Sequence, residues 1–255
     1  MKFYTLYVFD IFWVCLYNHS VRKRSRWKPP RRLLTYQHTA GIGKGDVSMK
    51  VLLLNGSTRK NGCTDLALSE IAKVLNAEGV ETEIIQMGGG PVRDCIGCNG
   101  CAAKGQCVFG DDMANEVIAK AKEADGFVFG SPVYYAHPSG QILSLLDRVF
   151  YAGAEAFLHK PAAVVVTARR AGTTASLDVL NKYLLNAEMP IVSSTYWNMV
   201  FGPAPELVEQ DKEGLQTMRN LGRNMAWLLG CIEAGQQQGC TPPQAERAHW
   251  TNFNR

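Results

Sequence analysis

Four cysteines fall within thirteen residues, Cys95, Cys98, Cys101 and Cys107, in the spacing C-x2-C-x2-C-x5-C. Thiolates from one flexible loop can converge on a single [4Fe-4S] cubane. Zinc also accepts four thiolates, but the two separated C-x2-C knuckles typical of its structural sites are missing here. Four free thiols are the third reading of the same residues. Gly97, Asn99, Gly100 and Gly105 supply the loop freedom that ligation or closure over a neighbouring group requires. Cys15, Cys63, Cys231 and Cys240 have no partner at ligating spacing. Half of the eight cysteines sit in one cluster, which points to metal or redox chemistry in a reducing compartment rather than a disulfide framework. A cytoplasmic protein is expected.

A second group of chemically able residues runs from Gly56 to Thr64, GSTRKNGCT. The aliphatic run Val51–Leu54 precedes it, and the helical stripe Leu66, Leu68, Ile71, Ala72, Val74, Leu75 follows it. A loop between a strand and a helix start offers free N–H groups, hydroxyls and the positive end of the helix dipole, which together suit a phosphate. Gly56, Ser57, Arg59, Asn61, Gly62, Cys63 and Thr64 are the candidates. The spacing matches neither G-x-x-x-x-G-K-[ST] nor G-x-G-x-x-G, so it signals neither a nucleoside triphosphate nor a dinucleotide. Two further loops qualify: Pro132 to His137, whose two tyrosines and proline-stiffened backbone are fit to lie against a flat ring, and Ala168 to Thr173, with glycine for close backbone approach and Arg169 and Arg170 for charge. One phosphate and one large planar ring match these three loops better than ATP or NAD does.

The elements that must position these loops alternate along the chain. Strands are expected at 51–54, 80–87, 127–129, 161–167 and, shorter and more polar, 190–195. Five helices separate and follow them: one after Thr64, one capped by Asp111 and Asp112 and reaching Glu123, one through 142–149, one around 177–185 and one at 211–234. The third strand is expected to stop at Gly130-Ser131-Pro132, with Val133–His137 as a loop and 196–210 as an excursion. The fold class is α/β: a doubly wound, five-stranded parallel sheet in three layers, with ligands beyond the carboxyl ends of the strands.

GSTRKNGCT, GSPVYYAHPSG and LLDR, with the TNF near the C-terminus, resemble the NAD(P)H-dependent FMN reductase family of the flavodoxin-like superfamily over most of residues 49–255. The resemblance implies non-covalent FMN, a homodimer or homotetramer, NAD(P)H as hydride donor, and a small acceptor such as a flavin, quinone, nitro or azo compound. By position, Ser57, Arg59, Asn61, Gly62, Cys63 and Thr64 resemble the family's phosphate cradle. Pro132, Val133, Tyr134, Tyr135 and Ala136 resemble its isoalloxazine loop, and Arg170, Ala171 and Gly172 a third flavin-side loop. The cysteine run resembles that of the iron–sulfur flavoproteins, a subgroup that implies electron exchange with a ferredoxin-like partner. No separate catalytic acid or base is assigned. Asp147-Arg148 reads as a helix-end or interface ion pair.

Charge separates the N-terminal segment from the rest. Residues 1–48 hold nine Lys/Arg against two Asp/Glu, whereas 49–255 hold 18 against 21. The main part of the chain therefore gives no reason to expect nucleic acid. The segment 3–17 is too short and too interrupted for a spanning helix, and the basic run 22–32 follows rather than precedes it, unlike a signal peptide. Upstream sequence ahead of a start at Met49 is the favoured reading of 1–48, a membrane-surface anchor or a basic arm the others. Membrane association is not expected. Residues 236–255 form a polar tail whose Trp250 and Phe253 suggest a docked end.

Overall fold

The computed structural model describes residues 49–249 and 251. The expectations for residues 1–48, Trp250 and Phe253 lie outside the described residues.

Strand β1 (Lys50–Asn55) is buried from Val51 onward. Successive side chains of a strand point to opposite faces, so Val51 and Leu53 enter one core while Leu52 and Leu54 enter the other. Both faces are covered because helices pack on each side, which is why the run is aliphatic without alternation. Helix α1 (Cys63–Ala77) buries Thr64, Ala67, Leu68, Ile71, Ala72 and Leu75, the repeat of a single helical face. It ends at Gly79, whose φ of 85° suits the left-handed stop.

The chain continues through β2 (Glu81–Gln86), a long irregular stretch, α2 (Ala114–Glu123) and β3 (Gly126–Tyr134). The two-residue return strand β4 (His137–Pro138) leads into α3 (Gly140–Ala152). Then come a 3₁₀ turn at Ala154–Ala156, β5 (Ala162–Ala168), α4 (Thr173–Asn186), β6 (Met199–Phe201), the one-turn α5 (Pro205–Val208) and α6 (Lys212–Gln237). The sheet order is β2-β1-β3-β5-β6, all parallel, with β4 antiparallel to β3. One core joins Leu53, Ile71, Leu75, Val128, Val165, Leu221 and Met225 between the sheet, α1 and α6. The other joins Leu54, Ile118, Phe127, Phe129, Leu145, Val164 and Leu180 between the sheet and α2, α3 and α4. Leu53 is fully buried, and its truncation to alanine would cost roughly 2–5 kcal/mol. This is the expected doubly wound, three-layer sheet. Its strand order reverses at β1, so β2 and β3 lie on opposite sides of it, and in open sheets of this kind ligands bind beyond the carboxyl ends at such a reversal.

Two boundaries differ from the sequence expectation. The fifth strand is not at 190–195: there Ile191 makes one bridge to Ala162, and regular pairing begins only at Met199, opposite Val166. Between them the polar Ser193-Ser194-Thr195 leaves the sheet. Ser194 Oγ donates to the Tyr196 carbonyl at 3.0 Å, and α6 holds the excursion through Asn220 to Thr195 Oγ1 and Asn224 to the Ser193 carbonyl. One local side-chain bond and two from α6 take the place of ladder pairing here. Strand β3 also does not stop at Gly130-Ser131-Pro132 but runs to Tyr134. Its neighbour β1 has ended opposite Gly130, so Pro132 lies where one edge of β3 is open, a position that tolerates a proline. Among the described residues there are six helices rather than five, the addition being α5.

Candidate functional site

Three loops meet at the carboxyl ends of β1, β3 and β5. The Gly56 N–H donates to the Gly130 carbonyl at 2.8 Å, and Ser139 Oγ donates to the Gly56 carbonyl at 2.9 Å. The first loop is thereby fastened to β3 and to the start of α3. Asn55 organises its base: Oδ1 accepts from the Ser57 N–H at 3.1 Å, while Nδ2 donates to Gln86 Oε1 at 2.7 Å and to Asp65 at 3.3 Å. Gln86 in turn donates to the Ser57 carbonyl. Ser57 is buried, and its Oγ accepts from the Arg59 N–H at 3.1 Å, which leaves the hydroxyl proton available. Asn61 turns the chain at φ 55°, and α1 then begins after its N-cap Gly62, which offers no side-chain cap. The open first-turn amides, with exposed Arg59 and Lys60 beside them, form a cradle for an anion.

Two candidates in this loop face away from it. Thr64 Oγ1 lies 2.9 Å from Thr167 Oγ1, inside the structure, so Thr64 offers the loop its backbone rather than its hydroxyl. Cys63 Sγ donates to the Gly202 carbonyl at 3.5 Å, and burial pushes its thiol pKa up.

The second loop is the tip of a hairpin. Tyr134 pairs with His137, and the two residues between them, Tyr135 and Ala136, have φ of 51° and 60°. Two left-handed residues in a two-residue turn match the twist of paired strands, but glycine or asparagine is the usual occupant. Non-glycine residues held in this region cost of order 1–3 kcal/mol each, and such positions gather at functional sites. Tyr135 is fully exposed and Tyr134 about half exposed (48%). Pro132, Val133, Tyr134, Tyr135 and Ala136 thus form a ledge above the carboxyl edge. The third loop packs directly on it. Gly172 has φ 88°, and a β-carbon there would lie 2.4 Å from Ala136 Cα. Arg170 and Ala171 are exposed beside it.

The four cysteines lie in the irregular stretch between β2 and α2. Cys95, Cys98, Cys101 and Cys107 all line one concavity, closed by Arg148 and Tyr151 of α3. Cys95 and Cys98 are exposed, Cys101 and Cys107 half-buried. Asn115 of α2 brackets Cys107, accepting from its N–H at 2.8 Å and donating to its carbonyl at 2.9 Å. Among the described residues no three His, Cys, Asp or Glu side chains stand close enough together to hold a metal ion. The residue types of the cysteine stretch nevertheless suit one, since four soft sulfur donors line the same hollow. Arg148 is not the helix-end or interface ion pair expected from sequence. It is 2% exposed and pairs with Asp112, while Asp147 accepts separately from the Tyr183 hydroxyl. Burial works against the Asp112 carboxylate. Hydrogen bonds from Arg148 and from the N–H groups of Arg93 and Ala114 outweigh that and hold its pKa below the ordinary carboxylate value.

A sequence model of the NADPH-dependent FMN reductase family matches residues 49–204. The chain belongs to that family. An iron–sulfur flavoprotein of Methanocaldococcus jannaschii is 35% identical over 193 residues, covering 72% of this chain and all of that protein. Among solved structures, a flavone reductase superposes with a TM-score of 0.56 at 20% identity, covering 72% of this chain and 64% of that one, so this chain spans slightly less than two thirds of its length. A WrbA-like flavodoxin of Agrobacterium tumefaciens superposes with a TM-score of 0.52 at 16% identity, covering 72% and 99%. This FMN reductase family member therefore has the flavodoxin-like fold and is of the oxidoreductase class. Among its described residues no helix is long and apolar enough to cross a membrane.

Sequence reasoning missed Asn55, Gln86, Ser139, Thr167 and the role of Arg148. Asn55 ends an apolar strand and Ser139 directly precedes a helix, and both positions could have been flagged. Thr167 and Gln86 reach the first loop only through sheet pairing, which no local pattern reveals.

Proposed function

We propose that this protein is an FMN-dependent NAD(P)H oxidoreductase that passes electrons to a small acceptor such as a flavin, quinone, nitro or azo compound. The observation that carries the reading is the convergence of an uncapped helix start, an aromatic hairpin and a glycine-closed loop on one crevice at the carboxyl edge of the sheet. The cradle of Ser57, Arg59, Asn61, Gly62 and the first-turn amides of α1 would hold the single phosphate. Pro132, Val133, Tyr134, Tyr135 and Ala136 would run along the ring system, and Arg170, Ala171 and Gly172 would close its far side. Bound FMN supplies the hydride and electron chemistry. The protein's task is to orient the ring, retain the phosphate and limit water on one face.

The four cysteines around one concavity, and a relative named as an iron–sulfur flavoprotein, favour a second component. Cys95, Cys98, Cys101 and Cys107 would hold a [4Fe-4S] cluster, and the protein would then also act as an electron carrier with a ferredoxin-like partner. A homodimer or homotetramer in the cytoplasm accords with both readings.

Oxygen-free purification tests them together. Chromatography of the released pigment should yield FMN, and FAD as the sole flavin would overturn the cradle assignment. Iron and sulfide assays should find about four of each per chain. Stopped-flow mixing with NADH and NADPH should bleach the flavin. No reaction with either, alongside rapid exchange with ferredoxin, would favour the carrier.

A further inference from the structure

The polar face of α3 does more than meet solvent. Its apolar stripe, Ile142, Leu145, Leu146 and Val149, enters the core. On another face stand Gln141, Ser144, Arg148 and Tyr151, spaced three, four and three residues apart, so they form one line along the helix. Every one of them bonds to the stretch that carries the cysteines. Gln141 donates to the Gly90 carbonyl, Ser144 to Asp94, and the Tyr151 hydroxyl to Asn99 Oδ1 at 2.7 Å.

Arg148 is the buried member of the line, and its three guanidinium nitrogens are all engaged. Nε donates to Cys107 Sγ at 3.3 Å, and Nη2 to the Phe109 carbonyl at 3.1 Å. Nη1 donates to the Arg93 carbonyl at 3.2 Å and pairs with Asp112. One cation thus touches both ends of the loop and one of its thiols. A lysine could not reproduce this, because a single ammonium cannot span the same fork.

We propose that Arg148 is the positioning residue of the four-cysteine centre: it gathers the loop so that the four thiols face one hollow before any metal arrives. The proposal rests on the cluster reading given above. The bonds of Gln141, Ser144 and Tyr151 lie near solvent and are individually weak, whereas a buried cation is strongly disfavoured without its partners. The conformation that satisfies Arg148 is therefore the one the loop adopts.

The test uses the full chain. Arg148→Met removes the fork, and the double variant Arg148→Met/Asp112→Leu removes it without stranding the carboxylate. Arg148→Lys keeps the charge alone. Native FMN content serves as the check that each variant folds. In metal-free protein, iodoacetamide modification resolved by mass spectrometry should rise at least tenfold at Cys107 and Cys101 in the double variant. It should change little at Cys95 and Cys98, already exposed, or at Cys63. Iron bound per chain after anaerobic reconstitution should fall at least fivefold in the double variant and less in Arg148→Lys. Modification rates within twofold of the parent together with full iron loading would overturn the proposal. If the parent chain takes up no iron while the modification pattern changes as stated, the cluster reading fails and the positioning of the thiols by Arg148 stands.

Discussion

Replacing Gly172 by alanine tests whether the second and third loops form one packed site. Gly172 has φ 88°, and an added β-carbon would lie 2.4 Å from Ala136 Cα, 2.8 Å from Ala136 Cβ and 3.1 Å from Val133 Cγ1. Two costs combine: left-handed backbone for an L-residue, roughly 1–2 kcal/mol, and overpacking, roughly 1–3 kcal/mol. Gly79 separates them. Its φ of 85° is nearly the same, yet no atom lies within 4 Å of where an added β-carbon would sit. Gly79→Ala should therefore show the backbone cost alone, a fall in melting temperature of roughly 2–8 °C at about 2–4 °C per kcal/mol for a domain of this size. Gly172→Ala should add the overlap, which the hairpin relieves by moving away from the crevice. The excess of about 1–3 kcal/mol should then appear as FMN binding weakened by roughly five- to a hundredfold, measured by fluorescence titration of deflavinated protein. Equal FMN affinity in the two variants would refute the claim that the loops jointly close over the ring.

The other predictions concern the first loop and the cysteine loop. Ser57→Ala should weaken FMN more than Thr64→Val does, because the Thr64 hydroxyl faces Thr167; isothermal titration ranks the two, and the reverse order would mean that the cradle is misassigned. Thr167→Val should cost about 1–3 kcal/mol in urea unfolding by stranding Thr64 Oγ1, and the double change Thr64→Val/Thr167→Val should recover most of it. Asp112 is held below its unfolded-state pKa, so its stabilisation of the cysteine loop is present in full above about pH 4 and is lost as pH falls through the folded value. Pepsin cleavage within residues 93–112 should accordingly switch on during acidification, whereas Asp112→Asn should be cut in that segment already at pH 4–5; identical profiles would remove Asp112 from the account.

Much of the sheet can be read from the chain because its signals are local. The aliphatic run before Asn55 and the stripe from Thr64 to Leu75 each reflect one burial pattern, and neither depends on distant partners. The fifth strand escapes local reading for the opposite reason. Pro190–Thr195 has strand-like composition, but bonds from Asn220 and Asn224, some thirty residues later, hold Ser193 and Thr195 out of the ladder. At Pro132 the local signal itself misleads: Gly130-Ser131-Pro132 reads as a stop, yet pairing with Val165, Val166 and Thr167 carries the strand onward. The first loop is legible as a cradle, though not which way its hydroxyls turn, since Thr167 lies 103 residues from Thr64. Arg148 is the hardest to read. In a helix with a clean apolar stripe, a charged residue off that stripe looks solvated, and its partners come from a stretch with no period at all.

The Arg148 contacts also bear on chain length. By touching residues 93, 107, 109 and 112 together, one side chain cuts a long connection into shorter closed segments. Residues 102–106 lie between two of the cysteines, are all exposed, and are touched by none of these bonds. Doubling the length of a flexible loop costs only about 0.6 kcal/mol in closure entropy. Added residues should therefore be absorbed there at small thermodynamic cost, whereas a single insertion between Cys107 and Asp112 would pull three anchors out of register at once. The connection has an elastic part and an inelastic part, and the boundary between them is Cys107.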